Sequence, residues 1–240
     1  MNKTRRVVLF DVDGTIAETE GDGHLPAFNQ AFVEAGIPWS WSSEDYGHLL
    51  QVTGGHERML AYARQIGSDF ASTESGRLKL LQVHRRKNEL YAQRMEIGAI
   101  SPRKGFIELI DAIAAAGRSW GVVTTTSASN WQSLWEKSIC PKGPALEPAV
   151  VVCGEDVARK KPDPQAYLLA LDRLGLGSQE ALAIEDSRNG LLAARGAGLA
   201  CVVVRSQFFA HQQFDEALVV VDELSDLLRS DTVFFEAPER

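Results

Sequence analysis

Two carboxylates spaced two residues apart follow a short apolar run near the N-terminus, where Val7–Phe10 leads into Asp11, Val12, Asp13, Gly14 and Thr15. Because residues i and i+2 of an extended strand project from the same face, we expect Asp11 and Asp13 to lie together just past the strand end. Two like charges at that separation are costly unless a cation lies between them, and carboxylate oxygens suit magnesium. The spacing therefore predicts a magnesium site, and an ordinary Asp-Gly turn is the alternative.

Three more polar clusters follow predicted strands. Thr124 begins a run of four hydroxyl residues, and hydroxyls with exposed backbone N–H groups can hold phosphate oxygens or cap a helix. Lys161 precedes Pro162, whose rigid backbone could aim the lysine at a ligand rather than leave it in a solvated charge run. Glu185 and Asp186 form a second acidic pair, which could instead complement the N-terminus of a helix.

Short β-rich runs alternate with helical patterns along most of the chain. Such alternation favours a parallel sheet with helices on both faces. The predicted fold class is therefore α/β, with a Rossmann-like doubly wound parallel sheet as its core. The predicted strands are Val7–Phe10, Gly121–Val123, Val150–Cys153, Ala181–Ile184, Ala200–Val204 and Leu218–Val221, and amphipathic helices are predicted at Phe106–Ala116 and Gln165–Leu174.

The region after the first acidic pair interrupts this alternation with helical patterns alone, at Ala27–Ala35, Gly55–Ile66 and Glu74–Gln93. It predicts an inserted helical cap over residues 20–92, with the α/β core formed by residues 1–19 and 93–240. An insertion at that point lies over the strand ends, where ligands bind in open parallel sheets. We expect the cap to contact the substrate and exclude water.

Composition excludes several classes of function. The 240 residues carry a net charge of −7, so no basic field favours nucleic acid or a membrane surface, and no apolar stretch is long enough to span a bilayer. The N-terminal apolar run is too short for a signal peptide, and three cysteines, Cys140, Cys153 and Cys201, suit a reducing compartment. We expect a cytoplasmic monomer. The tail at 231–240, with two phenylalanines among charges, is expected to fray or to contact a partner.

An acidic pair, a hydroxyl, a lysine and a second acidic pair, in that order and with a helical insertion after the first, resemble the motif series of the haloacid dehalogenase-like hydrolases. The resemblance extends from Val7 to about Val221. More narrowly, Glu18–His24 and Thr53–Arg58 are similar to the corresponding segments of the CbbY-type sugar-phosphate phosphatases. Those proteins are relatives of β-phosphoglucomutase that are associated with carbon fixation.

The resemblance implies a role for each motif. Asp11 would attack phosphorus and form an aspartyl-phosphate, and Asp13 would serve as general acid and then as general base. Lys161 and Thr124 would stabilise the transferring phosphoryl group. The implied magnesium ligands are Asp11, Asp13 through its backbone carbonyl, Asp186, and Glu185 directly or through water.

The insertion would choose the substrate. Relatives carry a lysine after the Gly-Gly pair, whereas this chain has His56, which carries a full charge only near or below about pH 6.5. Arg58 is the better candidate for holding a remote phosphate. His24 could bind a sugar hydroxyl or be structural, and Thr126 and Asn130 could face the substrate or cap a helix. The predicted substrate-binding residues are Glu20, His24, Gly54, Gly55, His56, Arg58, Thr125, Thr126 and Asn130.

Several activities stay open. Thr15 favours a phosphatase over a phosphoglucomutase-type isomerase, because the mutases of this superfamily often have an apolar residue there. Xylulose or ribulose bisphosphate is the substrate that the resemblance implies, and phosphoglycolate and sugar monophosphates are alternatives. A phosphorylated receiver domain also has an acidic pocket, a threonine and a lysine, but it has no helical insertion after its first strand. The intact motif residues disfavour a catalytically silent binding protein.

Overall fold

A six-stranded parallel sheet forms the centre of the computed structural model, which describes residues 5–229. The strand order is β3-β2-β1-β4-β5-β6, so the chain adds β2 and β3 on one side of β1 and β4 to β6 on the other. Such a switch in the order leaves a crevice at the carboxyl ends of β1 and β4. This is the predicted doubly wound α/β core. The strands are β1 (Val7–Phe10), β2 (Ser119–Val123), β3 (Val151–Val152), β4 (Ala181–Glu185), β5 (Ala200–Val204) and β6 (Val219–Val221).

Both faces of the sheet are covered, which explains the continuous apolar runs of the strands. In β1, Val8 and Phe10 pack into the cluster that includes Trp120, whereas Val7 and Leu9 pack into the opposite cluster. A strand buried on both sides has no polar face, so its sequence does not alternate. The predicted bounds of β1 and β5 are confirmed, and the other strands differ from prediction by one or two residues at an end.

Helices flank the sheet and fill the connection between β1 and β2. The α-helices of the described residues are α1 (Leu25–Glu34), α2 (Ser43–Leu49), α3 (Gly55–Gln65), α4 (Asp69–Ser72), α5 (Glu74–Glu96), α6 (Phe106–Ala115), α7 (Ala128–Leu134), α8 (Gln165–Leu174) and α9 (Arg188–Gly196). A π-helical turn at Glu20–His24 leads directly into α1. The predicted bounds of α8 are confirmed, and α6 is one residue shorter than predicted.

Helices α1 to α5 lie between β1 and β2, and the structure has no strand from residue 11 to residue 118, only isolated bridges. They pack around an aromatic cluster in which Trp41 lies 5.0 Å from Phe28 and 4.8 Å from Phe32 between ring centroids. Helix α5 continues to Glu96, past the predicted boundary at 92/93. The division into 20–92 and the two core segments stays a prediction.

Helix α2 was not predicted from the sequence. It begins with a capping box, in which the Ser42 hydroxyl accepts from the Asp45 amide and the Asp45 carboxylate accepts from the Ser42 amide. The box fixes the start of a helix of seven residues, which is too short for a clear apolar period.

None of the helices at residues 5–229 is long and apolar enough to cross a membrane. The three cysteines are free thiols, of which Cys153 and Cys201 are buried and Cys140 is exposed. The predicted tail at 231–240 lies outside the described residues.

Candidate active site

Three carboxylates converge at the crevice between β1 and β4. The parallel register pairs Phe10 with Ile184, so the next residues, Asp11 just past β1 and Glu185 at the end of β4, lie side by side. Oxygen atoms of Asp11, Glu185 and Asp186 all lie within 4.8 Å of one another, and each residue is buried. The structure therefore brings together the two acidic motifs, which are separated by more than 170 residues in the chain.

Lys161 contacts this cluster from the loop between β3 and α8. Its ammonium donates to Asp11 Oδ1 at 2.7 Å, to Glu185 Oε1 at 2.6 Å and to the Val123 carbonyl at 2.7 Å. Burial alone would lower the pKa of Lys161, but the charges of Asp11 and Glu185 outweigh it and raise that pKa. The lysine is a fixed positive charge, and its side chain is almost wholly buried.

The cluster keeps an excess of negative charge, because three carboxylates face one ammonium group. Burial, followed by the charge of Asp11, raises the pKa of Asp186. Burial also raises the pKa of Asp11, although Lys161 opposes it. Glu185 Oε2 and Asp186 Oδ2 are buried with no hydrogen-bond partner among the described residues. A small divalent cation that prefers oxygen ligands fits both the charge and the orphaned oxygens.

A glycine of α9 makes room for this carboxylate cluster. A Cβ atom on Gly190 would lie 1.8 Å from Glu185 Oε2, so any side chain at this position would displace the carboxylate. The same helix begins at a serine cap, since the Ser187 hydroxyl accepts from the Gly190 amide at 3.1 Å. Both the helix cap that the sequence allowed and the acidic cluster are therefore present together.

The carboxylate of Asp13 points to a different set of partners. Its Oδ1 accepts from the Thr19 hydroxyl at 2.5 Å and lies 3.1 Å from His24 Nε2. Lys87 Nζ lies 2.8 Å from His24 Nδ1, and Tyr91 stacks on the imidazole at 4.3 Å between centroids. An ionised carboxylate only accepts, so His24 Nε2 carries the proton that faces Asp13.

The pKa values of Asp13 and Lys87, which lie on either side of His24, are both shifted. Burial favours neutral Asp13, but the charge and hydrogen bond of His24 outweigh it and lower the pKa of Asp13 to about 2. Burial lowers the pKa of Lys87 to about 7. Asp13 is therefore a carboxylate in the free site, held in one orientation.

A second buried network links three segments of the insertion between β1 and β2. The Tyr46 hydroxyl donates to Glu20 Oε2 at 2.5 Å and accepts from Arg58 Nη1 at 2.7 Å. The Arg58 guanidinium carbon lies 5.0 Å from the centroid of the Tyr46 ring. Both Glu20 and Arg58 are buried, so the guanidinium is held in place by partners from α2 and from the turn before α1.

The hydroxyl run after β2 has the capping role that the sequence allowed. Thr124 Oγ1 accepts from the Thr126 amide at 3.1 Å, and the Ser127 hydroxyl accepts from the Asn130 amide at the start of α7. Asn130 Nδ2 donates to Thr126 Oγ1 at 3.2 Å and to Asn88 Oδ1 of α5 at 3.3 Å. The loop is thereby ordered, and Thr126 and Asn130 still line a cavity.

Two adjoining cavities collect the predicted site residues. They share Asp13, Glu20, Arg58 and Thr125. The reaction cavity, which we define by Asp11, Lys161 and Asp186, lies on one side, and the distal cavity lies on the other. The distal cavity adds the predicted residues His24, Gly54, Gly55, His56, Thr126 and Asn130. The other two predicted residues, Thr124 and Glu185, are buried behind the reaction cavity. The roles of all these residues stay predictions.

His56 differs from the lysine that the sequence comparison led us to expect there. Burial lowers the pKa of His56, and the nearby Lys160 also contributes in that direction. The imidazole is therefore neutral at pH 7, so it cannot replace the positive charge of a lysine. Arg58, two residues further along α3, brings a guanidinium to the same cavity.

Several residues that line the distal cavity or bond its lining were not predicted from the sequence, namely His84, Lys87 and Lys160 in the lining and Thr19 and Tyr46 beside it. One of them had a usable signal. Lys87 lies four residues after Val83 and four before Tyr91, so it occupies the apolar face of α5. A lysine on such a face is almost never buried without a partner. The others are brought to the cavity by tertiary packing alone.

Comparison with known proteins identifies the class to which this chain belongs. A model of the haloacid dehalogenase-like hydrolase family matches residues 5–198. The chain therefore belongs to this family of hydrolases, and its relatives include phosphatases.

Within the family, the chain is similar to CbbY proteins. Protein CbbY of Cereibacter sphaeroides is 41% identical over 221 residues, which cover 92% of this chain and 93% of that protein. The crystal structure of CbbY from Rhodobacter sphaeroides in complex with phosphate has a TM-score of 0.84 and 39% identity, covering 95% of this chain and 96% of that one. A mutant of that protein in complex with xylulose-(1,5)bisphosphate has a TM-score of 0.83, 38% identity and the same coverage.

Proposed function

We propose that the protein is a magnesium-dependent phosphatase that hydrolyses a small sugar bisphosphate, such as xylulose 1,5-bisphosphate, through an aspartyl-phosphate. The observation that carries the proposal is the pairing of Asp11 with Lys161 in a cavity that continues, past Asp13, into a second cavity containing Arg58. The bisphosphate complex of the similar CbbY protein supports the substrate.

In the first step the Asp11 carboxylate attacks phosphorus, and the bond to the leaving sugar oxygen breaks. Lys161 and the Thr124 hydroxyl stabilise the charge on the transferring phosphoryl oxygens. Asp11, Glu185, Asp186 and the Asp13 carbonyl would hold the magnesium ion, which supplies further positive charge to those oxygens when bound. The Lys161 contacts to Asp11, Glu185 and the Val123 carbonyl hold the ammonium in position before the substrate arrives.

Asp13 donates a proton in the first step of the reaction and accepts one in the second. It must hold a proton to give to the leaving alkoxide, and a bound phosphate favours this by raising the pKa of the carboxyl from about 2. His24 Nε2, 3.1 Å from Oδ1, donates a hydrogen bond that holds the carboxyl group in one orientation. In the second step the Asp13 carboxylate takes a proton from water, which attacks the aspartyl-phosphate and releases phosphate and free Asp11.

Arg58 is the proposed ligand for the second phosphate. It lines both cavities, so it lies where the reaction cavity adjoins the distal cavity. Tyr46 bonds Nη1 alone, Nε has no hydrogen-bond partner among the described residues, and a planar fork suits phosphate oxygens.

A phosphate-release assay over a panel of sugar phosphates tests the proposal. We expect magnesium-dependent release from xylulose 1,5-bisphosphate, no conversion of β-glucose 1-phosphate to glucose 6-phosphate, and no turnover in Asp11→Asn. Arg58→Ala should raise KM for the bisphosphate at least tenfold more than for para-nitrophenyl phosphate. Arg64→Ala is the control, because it removes an exposed arginine from the same helix. Normal turnover in Asp11→Asn would refute the mechanism, and equal effects of Arg58→Ala on both substrates would refute the phosphate site.

A further inference from the structure

Two contacts join the Gly54–Gly55 turn to consecutive residues of the loop that carries Lys161. The Thr53 hydroxyl donates to the Lys161 carbonyl at 2.7 Å. Lys160 Nζ donates to Glu57 Oε1, also at 2.7 Å. One contact lies just before the turn and the other just after it, so the turn is held at both ends against the same segment of the core. We call this pair of contacts the turn clasp.

The shape of the turn depends on glycine. Gly54 has a φ of +93°, and a Cβ atom there would lie 2.3 Å from Glu57 Oε2 and 2.6 Å from Lys160 Nζ. A side chain at this position would therefore strain the backbone and occupy the space in which the ion pair forms. The turn and the Glu57–Lys160 pair are parts of one packed arrangement.

Arg58 is tied directly to the turn. Its amide donates to the Gly54 carbonyl at 2.9 Å, and Gly54 is the residue that precedes α3. A movement of the turn therefore moves the first turn of the helix and the guanidinium with it. By contrast, the Lys161 side chain is held by Asp11, Glu185 and Val123 in the core. Loss of the clasp would move the distal cavity and leave the reacting groups in place.

We propose that Thr53, Glu57 and Lys160 are positioning residues that set the distance between Arg58 and the reacting phosphorus, and so determine the preference for a substrate with two phosphates. This proposal rests on the proposed function. The clasp acts through the backbone of the turn, so none of its three residues needs to touch the substrate.

All three clasp residues also line a cavity, Glu57 and Lys160 the distal one and Thr53 the reaction cavity. This allows a rival explanation in which the Lys160 ammonium binds the second phosphate itself. The two explanations make opposite predictions for Glu57. As part of a clasp, the Glu57 carboxylate assists binding because it holds Lys160. If instead Lys160 binds the second phosphate, the Glu57 carboxylate repels that phosphate, and its removal tightens binding.

The test measures kcat and KM for xylulose 1,5-bisphosphate and for para-nitrophenyl phosphate in Glu57→Gln, Lys160→Met, the double variant and Thr53→Val. Each substitution keeps the approximate size of the side chain. Glu34→Gln is the matched control, because it breaks the Glu34–Arg86 pair, which is similarly exposed but joins α1 to α5 within the insertion.

For the bisphosphate we expect kcat/KM to fall about two- to fivefold in each ion-pair variant, mainly through KM, as for a half-exposed ion pair. The double variant should lose no more than the larger single loss. Thr53→Val should lower kcat/KM for the bisphosphate about fivefold, as expected for the loss of one hydrogen bond. Values for para-nitrophenyl phosphate, and both substrates in Glu34→Gln, should stay within twofold of the unmodified protein.

A lower bisphosphate KM in Glu57→Gln would overturn the clasp, and so would strictly additive losses in the double variant or equal losses for both substrates. These results differ from a failure of the proposed function. That failure would appear in the unmodified protein as an absence of bisphosphate turnover, or as a KM no lower than that for para-nitrophenyl phosphate.

Discussion

Replacement of Asp186 by asparagine should stabilise the protein without magnesium and abolish most of the stabilisation by magnesium. The three clustered carboxylates exceed the single ammonium of Lys161 by two charges, which is the charge of one magnesium ion. Asp186→Asn removes one of these charges with almost no change in volume. It also replaces Oδ2, which has no hydrogen-bond partner among the described residues, by an uncharged group.

The sizes of both effects follow from the geometry. Two unit charges 4.8 Å apart repel by about 3 kcal/mol at an effective dielectric constant of about 20. Partial protonation relieves much of this, because the pKa values of Asp11 and Asp186 are raised, so we expect a gain of about 1 kcal/mol and about 2–4 °C in Tm. For the unmodified protein, magnesium at 100 times its Kd adds about 2.7 kcal/mol, or roughly 5–10 °C.

Differential scanning fluorimetry with EDTA and over a magnesium titration measures both quantities. We expect the magnesium-induced shift of Asp186→Asn to be less than a third of that of the unmodified protein. Glu20→Gln is the control, because it neutralises a buried carboxylate that lies outside the cluster and should keep the full response. A variant that is no more stable in EDTA, and that still gains the full shift with magnesium, would contradict the electrostatic reasoning.

Two further predictions concern the distal cavity. Burial, with help from Lys87, lowers the pKa of His84 to about 3. The unfolded state therefore binds more protons between about pH 6.5 and pH 3, so stability falls as pH falls through that window. Between pH 7 and pH 5 the free energy of unfolding, measured by urea denaturation, should fall by on the order of 1 to 2 kcal/mol less in His84→Gln than in the unmodified protein. The same dependence of that free energy on pH in both proteins would contradict this. Tyr46→Phe removes the hydroxyl that bonds Glu20 and Arg58, so KM for the bisphosphate should rise about five- to tenfold while para-nitrophenyl phosphate turnover changes less than twofold. Equal changes for the two substrates would show that Tyr46 acts on the whole fold.

The core of the fold could be predicted from the sequence because its signals are local. Each strand is a short β-rich run that ends at a polar cluster, and the two strands at the crevice, β1 and β4, differ from prediction by one residue at most. The parallel pairing of Phe10 with Ile184 then places Asp11, just past β1, and Glu185, the last residue of β4, at one edge. No further information was needed to bring Asp11 and Glu185 together.

The insertion was harder to predict, because its contacts depend on how helices face one another. Helix α2 was not predicted because its seven residues are too few to show an apolar periodicity. Tyr46 lies in this helix, so its role was not predicted either. The histidine at position 56 was identified as unusual from the sequence. However, the burial that keeps it neutral comes from packing, which no spacing of residues in the chain reveals.

This contrast has a physical consequence for how such a chain can change its substrate. The reacting groups are fixed by strand ends and by the three contacts of Lys161, all within the core. Many groups of the distal cavity come from separate helical segments, and the Gly54–Gly55 turn meets the Lys161 loop through one part-buried hydrogen bond and one exposed ion pair. Because exposed contacts of this kind contribute little to the free energy of unfolding, the distal cavity can be altered at small cost in stability. Substitutions in the turn clasp should therefore change the preference for a second phosphate well before they change the chemistry at Asp11.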